Sequence, residues 1–117
     1  MASKEEIEHF LRDFKYKLGF WGLFIRSDRD KNFKTLTVLE FRVEDVKKEL
    51  NELSVAHYLE GPVKETLYYS ADMWIFGKMI QSKEVYIKIS MGQPSDKVIC
   101  ISFHFSDYSM TYPYNSK

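Results

Sequence analysis

Two alternating runs in the last third of the chain constrain its fold more than any other feature: Val85-Tyr86-Ile87-Lys88-Ile89 and Val98-Ile99-Cys100-Ile101-Ser102-Phe103-His104-Phe105. Side chains along a strand point alternately to opposite faces, so a period of two separates a buried face from a wet one. Val85, Ile87 and Ile89 are expected on the buried face, with Ile99, Ile101, Phe103 and Phe105. Tyr86, Lys88, Cys100, Ser102 and His104 are expected opposite. If the strands are neighbours, a phenol, an ammonium, a hydroxyl and an imidazole share one sheet surface. Such a surface can be an ordinary solvated face, or one that moves protons on a charged substrate.

The rest of the chain supplies the cover. Ser3-Lys4-Glu5-Glu6 has the spacing of a capping box, and Ile7, Phe10, Leu11, Phe14 and Leu18 follow at helical intervals. This predicts an amphipathic helix over 4–18, ended by Gly19. Phe20 to Arg26 suits a strand, Ser27 to Asn32 a loop, and Phe33 to Phe41 fits either a strand or a helical turn. Val43, Val46, Leu50 and Leu53 mark a second helix ending near Ser54. Gly61-Pro62 reads as a turn, residues 63 to 72 as irregular, and Met73 to Ile80 as a strand. Three consecutive strands with short connections imply an antiparallel meander. The expected fold is α+β, with N-terminal helices on one face of an antiparallel sheet that ends in a three-stranded meander. At 117 residues the whole of 1–117 is expected to form one domain.

Composition narrows the function classes. Seventeen basic residues balance seventeen acidic ones, which counts against coating nucleic acid by bulk charge. The balance is uneven, because residues 12 to 35 carry a net plus four that can form a local basic patch. Cys100 is the single cysteine, so no intramolecular disulfide framework exists and a reducing cytoplasm is the expected compartment. No apolar run approaches the ~20 residues of a membrane span, so no membrane partner is expected. His9, His57 and His104 show no metal-ligand spacing, and no metal or cofactor is expected. Cys100 and His104, four strand residues or ~13 Å apart, are too distant for a nucleophilic dyad.

RNA cleavage requires less machinery. A base removes the 2′-OH proton, the alkoxide attacks phosphorus, an acid protonates the leaving oxygen, and a cation steadies the phosphorane. Tyr86, Lys88 and His104 offer these groups, and Lys78 joins them for one of two hairpin registers. A two-residue loop at Ser82-Lys83 turns Lys78 to the apolar side, whereas a three-residue loop from Gln81 to Lys83 pairs it with Tyr86 on the wet side. The cost of burying an unpaired ammonium favours the wet side. Trp74 and Tyr58 are candidates for stacking unpaired bases, although Trp74 also suits a core position.

The segments Leu53-Ser54 to His57-Tyr58, Trp74, Val85 to Ile89 and Ile101-Ser102-Phe103 together resemble the MqsR-like toxins of bacterial toxin–antitoxin pairs, over roughly residues 37 to 104. The resemblance implies a RelE-like fold, metal-independent mRNA cleavage and a protein antitoxin as partner. It places the family's strand tyrosine on Tyr86 and the neighbouring lysine on Lys88. The family's catalytic lysine falls on His104, its glutamine on Ile75, and a further lysine near Glu60. Lys78 or Lys64 would supply the missing cation. The competing expectation is a non-catalytic module of the same fold, holding a protein partner on the sheet or on the Tyr108–Tyr114 tail.

Overall fold

A computed structural model describes residues 1–64 and 71–115. Its elements are α1 (Lys4–Trp21), β1 (Leu23–Ile25), α2 (Asp30–Leu39), α3 (Val43–Asn51), a 3-10 turn (Val55–His57), β2 (Tyr58–Val63), β3 (Met73–Ile80), β4 (Lys83–Ser90) and β5 (Val98–Phe105). The strands form one sheet in the order β1-β5-β4-β3-β2. The class is α+β as expected, but the sheet is mixed: β1 runs parallel to β5 and the other neighbours are antiparallel. Most of the segment expected to be irregular at 63 to 72 lies outside the described residues. None of the described helices is long and apolar enough to cross a membrane.

The capping box forms at the start of α1. Ser3 Oγ accepts from the Glu6 N–H at 3.1 Å, and Glu6 Oε1 accepts from the Ser3 N–H at 2.8 Å. Ile7, Phe10, Leu11, Phe14 and Leu18 are buried on the sheet. Each such side chain contributes about 1.5–3 kcal/mol by leaving water. The helix does not stop at Gly19 but runs to Trp21. The left-handed position is Gly22, with φ 93°, and that is where the chain turns into β1.

Residues Phe33 to Phe41 resolve as helix, not strand. α2 buries Asn32, Thr35 and Leu39 against β5. β1 covers only Val98 to Cys100 of β5, so the upper half of that strand would otherwise expose its edge. Asn32 Nδ2 donates to the Ile101 and Arg26 carbonyls, both at 2.9 Å, and Asn32 Oδ1 accepts from the Phe103 N–H at 3.0 Å. Thr35 Oγ1 accepts from the Phe105 N–H at 3.0 Å. Helix side chains thus replace a neighbouring strand.

Two register features overturn expectations. The β3–β4 loop is Gln81-Ser82, both with positive φ (51° and 67°), which fits the twist of a two-residue hairpin. Lys78 therefore pairs with Val85 and points to the helix-covered side, not to the Tyr86 side. In β5, Ser102 pairs with Lys88 but Cys100 pairs with Ile89, leaving Ile101 as an extra residue. This bulge inverts the alternation. Val98 and Cys100 join Phe103 in the core, while Ile99 and Ile101 leave it. Cys100 thus lies opposite to Ser102 and His104, and burial pushes its thiol pKa up to about 12.

Candidate functional site

The face of the sheet away from α1 carries Tyr86 and Lys88 from β4. Cross-strand partners share a face, and here Tyr86 pairs with His104 and Lys88 with Ser102. The Tyr86 and His104 rings stack with centroids 5.2 Å apart and planes 15° apart. His104 Nδ1 lies 3.1 Å from the Phe105 carbonyl. A carbonyl only accepts, so this bond requires Nδ1–H and leaves Nε2 with the lone pair in the neutral ring. Burial raises the Tyr86 phenol pKa, with the charge of Glu60 and the neighbouring Tyr108 adding to the shift, so the group stays protonated at neutral pH.

These side chains line a recess of about 430 Å3. Its remaining walls were not foreseen as site residues. Arg29 and Lys31 enter from the start of α2, and Ser106, Asp107 and Tyr108 from the segment after β5. Arg29 Nη1 donates to the Ile101 carbonyl at 3.4 Å, and Lys31 pairs with Asp107 at 3.2 Å. The signal for Arg29 and Lys31 was the basic excess of residues 12 to 35. Tyr108 was visible only as one aromatic of the tail, and it is 69% exposed.

The tail shapes the rest of this face. The Tyr112 hydroxyl donates to Glu84 Oε2 at 2.7 Å, and the Met110 N–H donates to Glu84 Oε1 at 3.2 Å. The tail then reaches the start of α1, where the Tyr114 hydroxyl donates to the Ala2 carbonyl at 2.6 Å. Gly77 makes this path possible. A Cβ there would lie 2.5 Å from Tyr112 Oη and 2.7 Å from Met110 Cε.

Four of the expected site residues lie elsewhere. Lys78 Nζ sits on the helix side between Glu49 Oε1 (2.6 Å) and Glu52 Oε1 (2.8 Å) of α3 and its C-terminal cap. Burial alone would lower the ammonium pKa, but hydrogen bonds and charge from these two carboxylates raise it. Tyr58 is fully buried, with its hydroxyl donating to the Gly61 carbonyl at 2.6 Å and accepting from the Ala2 N–H at 3.1 Å. Trp74 pairs with Ile89 and stacks on Phe10 at 4.5 Å, against the core. Neither ring can meet a base on the Tyr86 face. Lys64 is exposed just beyond β2, at the far edge of the sheet from β5. Ile75 and Glu60 do occupy the open face, with Ile75 paired to Lys88 and Glu60 to Ile75.

The assembled groups are a lone-pair imidazole nitrogen, a protonated phenol, a nearby ammonium and a basic wall. Together they can take a proton, give a proton and hold a phosphodiester. No protein-family model, no curated protein and no solved structure matches this chain.

Proposed function

We propose that the chain is a metal-independent endoribonuclease toxin acting on single-stranded mRNA and silenced by a protein antitoxin. The observation that supports the chemistry best is the Tyr86–His104 stack, with the imidazole tied through Nδ1 and Lys88 on the same face. His104 Nε2 removes the 2′-OH proton, a role worth 10²–10⁴-fold in rate for a well-placed base. The 2′ oxygen attacks the adjacent phosphorus and the bond to the 5′ oxygen breaks. Tyr86 donates the proton that the leaving oxygen takes. Lys88 lies two strand residues from Tyr86, about 7 Å along β4, and neutralises the phosphorane charge. Arg29 and Lys31 hold flanking phosphates, and Tyr108 offers an exposed ring to an unpaired base. This assignment replaces Lys78, Trp74 and Tyr58 with residues that line the recess.

The antitoxin belongs to the proposal through the resemblance to MqsR-like toxins. The alternative of a module that binds through its aromatic tail is weakened, because Tyr112 and Tyr114 are already bonded within the chain.

Induced expression of the wild-type chain in a bacterial host tests the reading. Growth is expected to arrest, and His104→Ala, with an unchanged circular dichroism spectrum, is expected to restore it. Full toxicity of folded His104→Ala would reject the assignment, as would a wild-type chain without effect on growth.

A further inference from the structure

On the opposite side of the molecule, α1 and the ends of β2 to β4 enclose a second groove of about 470 Å3. Its floor is the Trp74 ring stacked on Phe10 at 4.5 Å and 11°, and Pro62 and Met91 form the far wall. Its rim along α1 is acidic. Glu5, His9 and Asp13 recur at i, i+4 and i+8, so they form one stripe, and Glu6 lies beside it. Among the described residues, no lysine or arginine lines the groove.

Each neighbouring cation has a partner within the chain. Arg12 Nη2 lies 2.9 Å from His9 Nδ1, and His9 Nε2 lies 3.1 Å from Asp13 Oδ2. Lys17, one turn further on, donates to the Met91 and Gln93 carbonyls. Lys4 lies over the Tyr114 ring, 5.8 Å from its centroid. Glu5 has no partner among the described residues, and Glu6 uses only Oε1 in the capping box.

We propose that this groove docks a short, extended, basic-apolar segment of a partner protein. The dimensions set its length. Glu5 and Asp13 are separated by eight helical residues, about 12 Å along the axis. That span matches about four residues of extended chain at ~3.3 Å each. An aliphatic side chain at the centre covers the Trp74–Phe10 floor. Lysine or arginine at the ends meets the carboxylates. Negative potential at the rim steers such a segment and repels an acidic one. The groove lies across the sheet from the proposed RNA site, so the two can be occupied together and tested separately.

The probes are two capped tetrapeptides, Arg-Val-Leu-Arg and Glu-Val-Leu-Glu. They are titrated into the full chain carrying Trp21→Phe, which leaves Trp74 as the one tryptophan. The arginine peptide is expected to change Trp74 emission saturably in the millimolar range, more weakly as salt is added. The glutamate peptide is expected to leave it unchanged. Glu5→Gln with Asp13→Asn removes charge from an exposed helix surface, and thermal unfolding verifies that the fold is kept. This pair is expected to weaken arginine-peptide binding about tenfold or more. Absence of a saturable response, equal response to both peptides, or undiminished binding by the double variant overturns the proposal.

Discussion

Asn32→Ala tests whether α2 substitutes for a missing strand beside β5. Asn32 is 1% exposed and makes three hydrogen bonds to backbone groups of Arg26, Ile101 and Phe103. Alanine leaves the Phe103 N–H buried without an acceptor, which costs about 1–3 kcal/mol. The Arg26 and Ile101 carbonyls each lose a bond worth about 1 kcal/mol. The Ile101 carbonyl keeps only the 3.4 Å contact with Arg29. The sum is a destabilisation of about 3–5 kcal/mol, or about 12–20 °C in Tm for a domain of this size. Urea unfolding followed by circular dichroism measures the first quantity, and hydrogen exchange at the Phe103 amide reports the mechanism. Thr35→Val, which removes one bond to the Phe105 N–H, is expected to cost about 1–1.5 kcal/mol. Thr37→Ala is the control, because its exposed hydroxyl only back-bonds to Phe33 within α2. A loss below about 1 kcal/mol in Asn32→Ala, with Phe103 exchange unchanged, would refute the reasoning.

Other perturbations reach the remaining features. Lys78→Gln leaves Glu49, which is 15% exposed, without its cation, and is expected to lower stability by about 1–3 kcal/mol in urea unfolding while RNA cleavage by the folded protein is unchanged. Gly77→Val drives a side chain into Tyr112 and Met110, so the tail is expected to lift and chymotrypsin to cut after Tyr108 or Tyr114 faster than in wild type. His57 Nδ1 accepts from the Ser54 N–H at 3.0 Å, and burial, then the nearby Lys78 and Lys15 charges, lower its pKa from 6.5. A lowered folded pKa means that the unfolded chain binds the proton first. This contribution to stability is complete above pH 6.5 and fades as pH falls through the folded value. Tm measured between pH 7 and pH 5 is expected to drop less in His57→Asn than in wild type.

The fold was legible wherever local pattern and tertiary packing agree. The stripe of Ile7, Phe10, Leu11, Phe14 and Leu18 gave α1, and the alternation of β4 gave its two faces, because each residue there has one low-energy side. Val98 to Ile101 is four apolar residues in succession, so either parity satisfies the pattern, and only Asn32 at the strand edge shows where the extra residue sits. Lys78 misled for a related reason. The cost of an unpaired buried ammonium was sound physics, but Glu49 and Glu52 arrive from α3, a pairing that strand spacing does not contain. Gln81-Ser82 lacks the glycine or asparagine that announces a two-residue turn, so the register went unseen. Of the candidate site, Tyr86, Lys88 and His104 came from alternation alone. Arg29 and Lys31 required knowing that α2 lies along β5, and Tyr108 that the tail doubles back over the sheet.

Incubation of the purified chain with a single-stranded RNA in EDTA, followed by analysis of the product ends, tests the central claim most directly. Transesterification started by His104 gives fragments ending in 2′,3′-cyclic phosphate and beginning with a 5′-hydroxyl. The wild-type chain and Lys78→Gln are expected to release them, and folded His104→Ala to release about 100-fold less. Intact RNA with the wild type, or equal cleavage by His104→Ala, would contradict the account.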